Sequence, residues 1–320
     1  MTSSRPARVW VVGGGGLLGS AVTRALAGLD MFRSQPIPWR EPHAASAVLS
    51  AEFERFSGGI SGTDRWSIVW AAGAAVIATP ASSLRDELSI TEEFLTRLAR
   101  RPPRGVGGFF LSSSAGVYAG SAHAPFDELS EPQPMNAYGR TKLGQEVLAS
   151  SLLTEKVPFT IGRFSTLYGP GQRLDKPQGL ISQMCVQAAL NRPISIYVPM
   201  DTLRDYLYVD DAARLTREVV HRLLTGHAPQ LQVMASERAT TIAELVHIVR
   251  TVTRSRVGVT QKIITPGTGH ARDLRLRSRW PLEAAQRPTP LPVGIRRTAD
   301  AVLKAHRRGT LPALALGSAH

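Results

Sequence analysis

Residues 9–22 read VWVVGGGGLLGSAV, and this stretch decides the fold. Four apolar residues with a β-branched majority lead into glycines, and the glycines lead into a helical pattern that starts near Leu17. Gly13, Gly16 and Gly19 stand in a Gly-x-x-Gly-x-x-Gly spacing at that junction. Glycine permits the tight turn and lets backbone approach a pyrophosphate. The helix beyond it aims unpaired N–H groups and its positive end at the same anion. With Arg5 and Arg8 ahead of it, the run also imitates a secretion signal. Four consecutive glycines are poor material for the helical centre of such a signal, so the buried-strand reading is preferred.

Working outward, apolar runs alternate with amphipathic stretches, the pattern of βαβ units. After the strand at 9–12 comes a helix at 17–29, and QPIPW at 35–39 is a candidate second strand despite Pro36 and Pro38. Further strands are expected at 67–72, 107–111 and 159–164, with helices at 87–100 and 137–153 between them. Beyond Gly169 a turn-rich loop precedes a helix at 180–190, a strand at 194–198 and helices at 210–224 and 241–252, the last capped by Thr240 or Thr241 with Glu244 in its first turn. The fold class is α/β, a doubly wound parallel sheet with a smaller C-terminal lobe. Residues 1–170 form the dinucleotide-binding domain, with 205–235 packing back onto it; 171–204 and 236–308 form the substrate lobe, and 309–320 is a tail.

Composition narrows the class. A chain of 320 residues with 43% hydrophobic and 20% charged residues can bury a sizeable core. Its single cysteine, Cys185, rules out an internal disulfide and suits a reducing compartment, so a cytoplasmic location is expected. No other apolar run is long enough to span a membrane. The net charge of +13 invites a nucleic-acid partner. Only five of the 38 basic residues are lysines, however, and the basic stretch from Arg272 to Arg308 carries no RNA-binding or helix-turn-helix signature. A solvated basic surface is the preferred account, and no metal-ligand pattern is present.

The chemistry is carried by Ser114, Tyr138 and Lys142. Tyr138 and Lys142 stand four apart, so one helix face presents both. A free tyrosine ionises near pH 10, about three units too high for a base at neutral pH. A neighbouring ammonium in a partly dry site, with an oxidised nicotinamide, supplies positive charge that favours the phenolate. Ser114, at a strand end, is placed to hydrogen-bond the same substrate oxygen.

Five motifs in order, GGGGLLG, SSSAGVY, YGRTK, RFSTLYGPGQR and RDYLYVDDAA, resemble the extended short-chain dehydrogenase/reductases, and more narrowly their sugar-nucleotide epimerase/dehydratase branch. The segment LQVMASERATTIAELVHIV is similar to that family's late strand and helix. The resemblance implies a Rossmann fold, an enzyme using NAD or NADP, a nucleotide-sugar substrate and a homodimer. It makes Tyr138 the catalytic base, Lys142 the residue that holds the nicotinamide ribose and lowers the tyrosine pKa, and Ser114 the third member. Cofactor contacts then fall on Gly13, Gly16, Leu17, Leu18, Gly19, Arg40, Ala72, Gly73, Tyr138 and Lys142. Substrate contacts fall on Thr166, Arg204 and Arg272, two arginines suiting a diphosphate through their bidentate forks.

Four departures bear on the substrate and cofactor. PIPWREP offers Trp39 and Arg40 where an acid normally takes the ribose hydroxyls of NAD, which leans towards NADP(H). Thr166 replaces an asparagine, VPMDTL replaces a glycine-rich turn, and Trp70 stands where relatives often have histidine. Ala115 and Gly116 occupy the place of the acid pair that a 4,6-dehydratase needs, so dehydration is disfavoured. Epimerase and NADPH-dependent keto-sugar reductase both remain open. A non-catalytic dinucleotide-binding regulator or RNA-associated protein is the alternative of another class, and the intact trio weighs against it.

Overall fold

Val9 and Val11 face one way from the first strand, Trp10 and Val12 the other, and all four are buried. A strand buried on both faces belongs in the middle of a sheet that is covered on both sides. The computed structural model describes residues 6–73, 80–175, 179–261 and 271–312. The first half comprises β1 (Arg8–Val12), α1 (Leu17–Ala25), β2 (Asp30–Phe32), α2 (Pro42–Gly58), β3 (Arg65–Trp70), α3 (Ala81–Arg100), β4 (Val106–Ser114), α4 (Ala137–Leu153), β5 (Phe159–Phe164) and β6 (Thr166–Tyr168). The second comprises α5 (Leu180–Ala189), β7 (Ile194–Ile196), β8 (Leu203–Tyr208), α6 (Val209–Thr225), β9 (Leu231–Met234), β10 (Ala239–Thr241), α7 (Ile242–Thr253), β11 (Val259–Gln261), β12 (Asp273–Leu274) and α8 (Leu291–Arg307).

Six strands pair in parallel in the order β2-β1-β3-β4-β5-β9. Helices α2, α3 and α4 cover one face through Leu49, Phe53, Phe94, Leu95 and Leu153. Helices α1 and α6 cover the other through Leu18, Val22, Val219 and Leu223. This is the doubly wound α/β sheet expected from the alternation of elements. The chain winds outward in opposite directions from β1 and β3, so a crevice opens outside their carboxyl ends. Gly13 follows β1 there, and Ala71–Gly73 follow β3. A separate apolar cluster joins α5, α7 and α8 to Tyr168, Tyr206 and Tyr208 from β6 and β8.

The second strand corrects the sequence expectation. It is Asp30–Phe32, and QPIPW runs as irregular chain. Pro36 and Pro38 have no N–H to donate to a ladder, so pairing stops before them. Trp39 instead packs edge-on against Trp70, with centroids 6.2 Å apart. The strand expected at 107–111 runs on to Ser114, which brings the serine run into the sheet. The cap of α7 is Thr241, in a reciprocal capping box with Glu244. Of the expected tail, residues 313–320 lie outside the described residues. No helix among the described residues is long and apolar enough to cross a membrane.

Candidate active site

The glycine loop excludes a side chain at two of its positions, Gly13 and Gly19. Gly13 has φ +85°, and a Cβ there would lie 2.6 Å from the Ala72 nitrogen. A Cβ on Gly19 would lie 2.1 Å from the Gly13 carbonyl oxygen. Backbone of the β1 loop therefore rests directly on backbone at the end of β3. Gly16 is the N-cap of α1 and no side chain caps that helix, so the amides of Leu17, Leu18 and Gly19 open the first turn towards the crevice. No acid stands in that turn. Backbone amides and a positive helix end without a nearby acid are what binding of an anionic phosphate group requires.

Ser114 is the last residue of β4, and its Oγ accepts from the Gly116 N–H at 3.1 Å, which starts the short turn Ala115–Tyr118. Asn136 caps α4 by accepting from the Gly139 N–H at 2.8 Å. That cap puts Tyr138 in the first turn of the helix, where its ring lies 3.7 Å from the point a Cβ on Gly116 would occupy, with the Ser114 Oγ 3.3 Å from the same point. Ser114 and Tyr138 thus share one wall of a cavity of about 150 Å³. Thr166, Arg204 and Asp205 line the same cavity.

Lys142 points elsewhere. It is 5% exposed, and its ammonium donates to Gln145 Oε1 at 2.9 Å and to Glu87 Oε1 at 3.4 Å. A Cβ on Gly73 would lie 3.2 Å from that nitrogen, so the lysine reaches the end of β3, on the dinucleotide side. The structure therefore sets Tyr138 in the cavity and Lys142 beneath Gly73, both from α4.

Arg204 is a half-buried cation whose hydrogen bonds go to neutral backbone carbonyls. Its guanidinium donates to the Leu203 carbonyl at 2.8 Å and to the Ala271 carbonyl. Burial pulls its pKa below the usual arginine value, against a weaker attraction from Asp273. Asp205, 2% exposed, accepts from Ser236 N at 2.9 Å, Ser236 Oγ at 3.0 Å and Arg238 N at 3.1 Å. Burial raises its pKa in spite of these bonds. Arg272 is not brought to the cavity: its side chain is 75% exposed and paired with Asp201. Arg40 is exposed in the irregular chain after β2.

A buried strut fixes α4 against the sheet. Arg163 of β5 forks onto Glu146 of α4, with Nε at 3.0 Å from Oε1 and Nη2 at 2.6 Å from Oε2. Ser113 of β4 donates to the same carboxylate, and Arg163 Nη1 donates to the Tyr118 hydroxyl at 2.5 Å. Tyr118 in turn donates to the Asp127 carbonyl at 2.6 Å. Burial pushes the Tyr118 hydroxyl up to about 12, opposed by Arg163.

Sequence reasoning did not find Glu87, Gln145 or Asp205. Asp205 stood inside a quoted motif without a role; Glu87 lies 55 residues from its partner and carries no local signal. Asn136 was legible from its type and place before an apolar helix. Trp70 fills the space under α3, its ring 4.8 Å from that of Phe94. A larger open hollow of about 660 Å³ runs along α7 with His247, Arg250, Arg254 and Arg256, and it shares no residue with the site above.

Comparison with known proteins agrees with this geometry. A dTDP-L-rhamnose 4-epimerase from Burkholderia thailandensis is 33% identical over 122 residues, 38% of this chain and 33% of that protein. The chain matches such curated relatives over about a third of their length. Across almost the whole chain the fold is that of UDP-glucose 4-epimerase from Thermotoga maritima, solved with UDP-glucose, with TM-score 0.74, 19% identity, and coverage of 93% of this chain and 99% of that one. It is also that of RMD from Pseudomonas aeruginosa, solved with NADPH, with TM-score 0.73, 20% identity, and coverage of 93% and 99%. Residues 67–232, which run from β3 through β9 and carry Ser114, Tyr138, Lys142 and Arg204, match the NAD dependent epimerase/dehydratase family, and the chain belongs to it.

Proposed function

We propose that the protein is an enzyme acting on a nucleotide-activated sugar by Tyr138-assisted proton transfer coupled to hydride transfer, and that it is a 4-epimerase of the kind its relatives' names describe. The observation that carries this reading is the cavity wall shared by Ser114 and Tyr138, with the Arg204 guanidinium in the lining of the same cavity. NAD or NADP fits the cradle formed by Gly13, Gly16, Gly19 and Ala72, where side chains are excluded by contacts under 3 Å at Gly13 and Gly19. When bound, the nicotinamide accepts a hydride from carbon and returns it. The protein's own groups do the rest. Tyr138 takes the proton of a ring hydroxyl and gives it back, and Ser114 hydrogen-bonds the same oxygen. Lys142 holds the nicotinamide ribose from below Gly73. Arg204, half-buried in the cavity lining, offers its fork to the diphosphate.

The lining supports redox chemistry without loss of water. Ala115 and Gly116 carry no acid, and the Asp205 carboxylate is occupied by Ser236 and Arg238. A second reading, a keto-sugar reductase using NADPH, is favoured by one observation. Residues 33–40, which follow β2, contain no acid and carry Arg33 and Arg40. The domain division proposed from sequence accords with the separate cluster of α5, α7 and α8, which would hold the sugar against the dinucleotide domain.

The test is to incubate purified protein with UDP- and dTDP-hexoses and follow both sugar configuration and dinucleotide absorbance. Interconversion of C4 epimers without net cofactor change is the result expected for an epimerase; stoichiometric NADPH consumption on a keto sugar selects the second reading. Tyr138→Phe should lower turnover by roughly 10² to 10⁴ with cofactor affinity nearly unchanged. Full turnover by that variant would remove the role given to the hydroxyl.

A further inference from the structure

Ser114 sits in a short span of chain that is tied at both ends to one buried ion pair. Glu146 of α4 and Arg163 of β5 form that pair, their side chains 5% and 6% exposed. Just before the serine, Ser113 stands opposite Arg163 in the β4–β5 register, and its hydroxyl donates to the Glu146 carboxylate. Just after it, the turn Ala115–Tyr118 ends at a buried ring whose hydroxyl accepts from Arg163 Nη1 at 2.5 Å. The same pair reaches Tyr138 through the helix. Tyr138, Lys142 and Glu146 follow one another at four-residue intervals, so they lie along one stripe of α4. Near its start α4 also rests on the serine turn itself: a Cβ on Gly139 would lie 2.8 Å from the Gly116 carbonyl oxygen. The segments that carry Ser114 and Tyr138 therefore touch at Gly116 and Gly139 and are tied again at Arg163 and Glu146.

A buried ion pair is a weak means of gaining stability, since apolar groups of similar volume often do as well or better. What it supplies is direction. Arg163 meets both Glu146 oxygens through Nε and Nη2 and keeps Nη1 for Tyr118. A planar fork fixes distance and angle together, which an apolar contact does not. The glycine contact sets only the nearest approach and does not stop α4 from tilting. We propose that Arg163 and Glu146 are positioning residues for the reaction: they set the spacing between the Ser114 and Tyr138 hydroxyls. This rests on the roles given to those hydroxyls above. Neither member of the pair lines the cavity, so both act through the segments they hold. Glu146 lies about 12 Å along the helix axis from Tyr138, and a tilt of about 5° over that length moves the tyrosine by about 1 Å. A misplacement of that size costs roughly a hundredfold in rate.

The experiment uses the double variant Glu146→Gln, Arg163→Met in the full chain. Removing both charges strands neither, so the variant should unfold close to the parent temperature. On the nucleotide sugar that the parent turns over, kcat should fall by roughly 10- to 100-fold. KM and dinucleotide affinity should stay within about threefold, a split that simple loss of fold does not produce. Crystal structures of parent and variant without substrate should differ in the Ser114 Oγ–Tyr138 Oη separation by about half an ångström or more. Tyr118→Phe, which removes only the hydroxyl that Arg163 holds beside the serine turn, should lower kcat in the same direction and serves where the double variant fails to fold. Parent-level kcat in a folded double variant, or an unchanged hydroxyl separation, overturns the proposal and leaves a pair that only stabilises the fold. Parent-level kcat in Tyr118→Phe overturns the tie to the serine turn. Because the separation is measured without substrate, it is decided apart from the proposed reaction. Full turnover by Tyr138→Phe sinks the reaction, and the measured separation still decides what the pair holds in place.

Discussion

Replacing Arg204 with methionine should strengthen the fold and weaken the ligand together, and the two signs make it a sharp test. The guanidinium is half-buried in the cavity lining with two backbone carbonyls as its named acceptors. Part of its hydration shell is already replaced by protein in the free chain, and that burial pulls its pKa below the usual arginine value. An anion arriving at about 4 Å gains on the order of 4 kcal/mol at the effective dielectric of a protein site. Truncating one member of a buried, hydrogen-bonded charge pair costs about 2–5 kcal/mol of binding. A loss of about 3 kcal/mol corresponds to roughly a hundredfold weaker affinity. In the absence of ligand the same change removes an unneutralised charge from a half-buried place, which is neutral or stabilising by about 1 kcal/mol, or roughly 2 °C in Tm for a chain of this size. Isothermal titration with UDP alone, paired with thermal unfolding, reads both quantities. Arg204→Lys should fall between, since an ammonium keeps the charge but not the fork. Unchanged UDP affinity would refute the reasoning, and so would a fall in Tm that accounts for the lost binding.

Two further outcomes are expected. Gly19→Ala should weaken dinucleotide binding by roughly a hundredfold or more in a fluorescence titration, because its Cβ would lie 2.1 Å from the Gly13 carbonyl; Gly15→Ala, whose Cβ meets nothing within 4 Å, should bind nearly as well as the unaltered protein. Equal behaviour of the two would show that the loop does not cradle the cofactor. Glu146→Gln should cost about 3–5 kcal/mol in denaturant unfolding, since it strands Arg163 in the core, and Arg163→Met added to it should recover most of that loss. A cost below about 1 kcal/mol would mean the strut is effectively solvated.

What could be read from the chain was whatever its chemistry fixes locally. The strand, the spaced glycines and the helix after them are consecutive, and Gly13 and Gly19 have a steric reason that survives folding. Tyr138 and Lys142 share a helix by spacing alone. The second strand was missed because β2 is three residues long, too short to show a period of two, while QPIPW looked apolar enough to mislead. Helix α8 was hidden for a related reason. Ile295, Ala299 and Val302 bury one side of it, but Arg296, Arg297, Lys304 and Arg307 made it read as part of the basic stretch from Arg272 to Arg308. Arg272 matched a motif whose spacing holds in the chain, yet Asp201 pairs with it at the surface instead.

The candidate site itself shows why so much of it was legible in pieces and so little as a whole. Ser114 ends β4, Thr166 begins β6 just past β5, Tyr138 opens α4 and Arg204 lies near the start of β8. Each was recognisable inside its own motif. Their meeting depends on parallel strand order, which delivers the carboxyl ends of β1, β3, β4 and β5 to one edge of the sheet whatever lies between them in sequence. Pairings outside that rule left no trace in the motifs. The Glu87–Lys142 pair depends on how α3 packs on α4, and the Arg163–Glu146 strut on how α4 packs on the sheet. The sheet thus assembles the site residues by topology, while the helix that carries two of them is held by side chains that only tertiary packing brings near. It follows that variants in the motifs should alter whether the reaction runs, and variants in those packed pairs should alter the stability and placement of the helix that carries Tyr138 and Lys142.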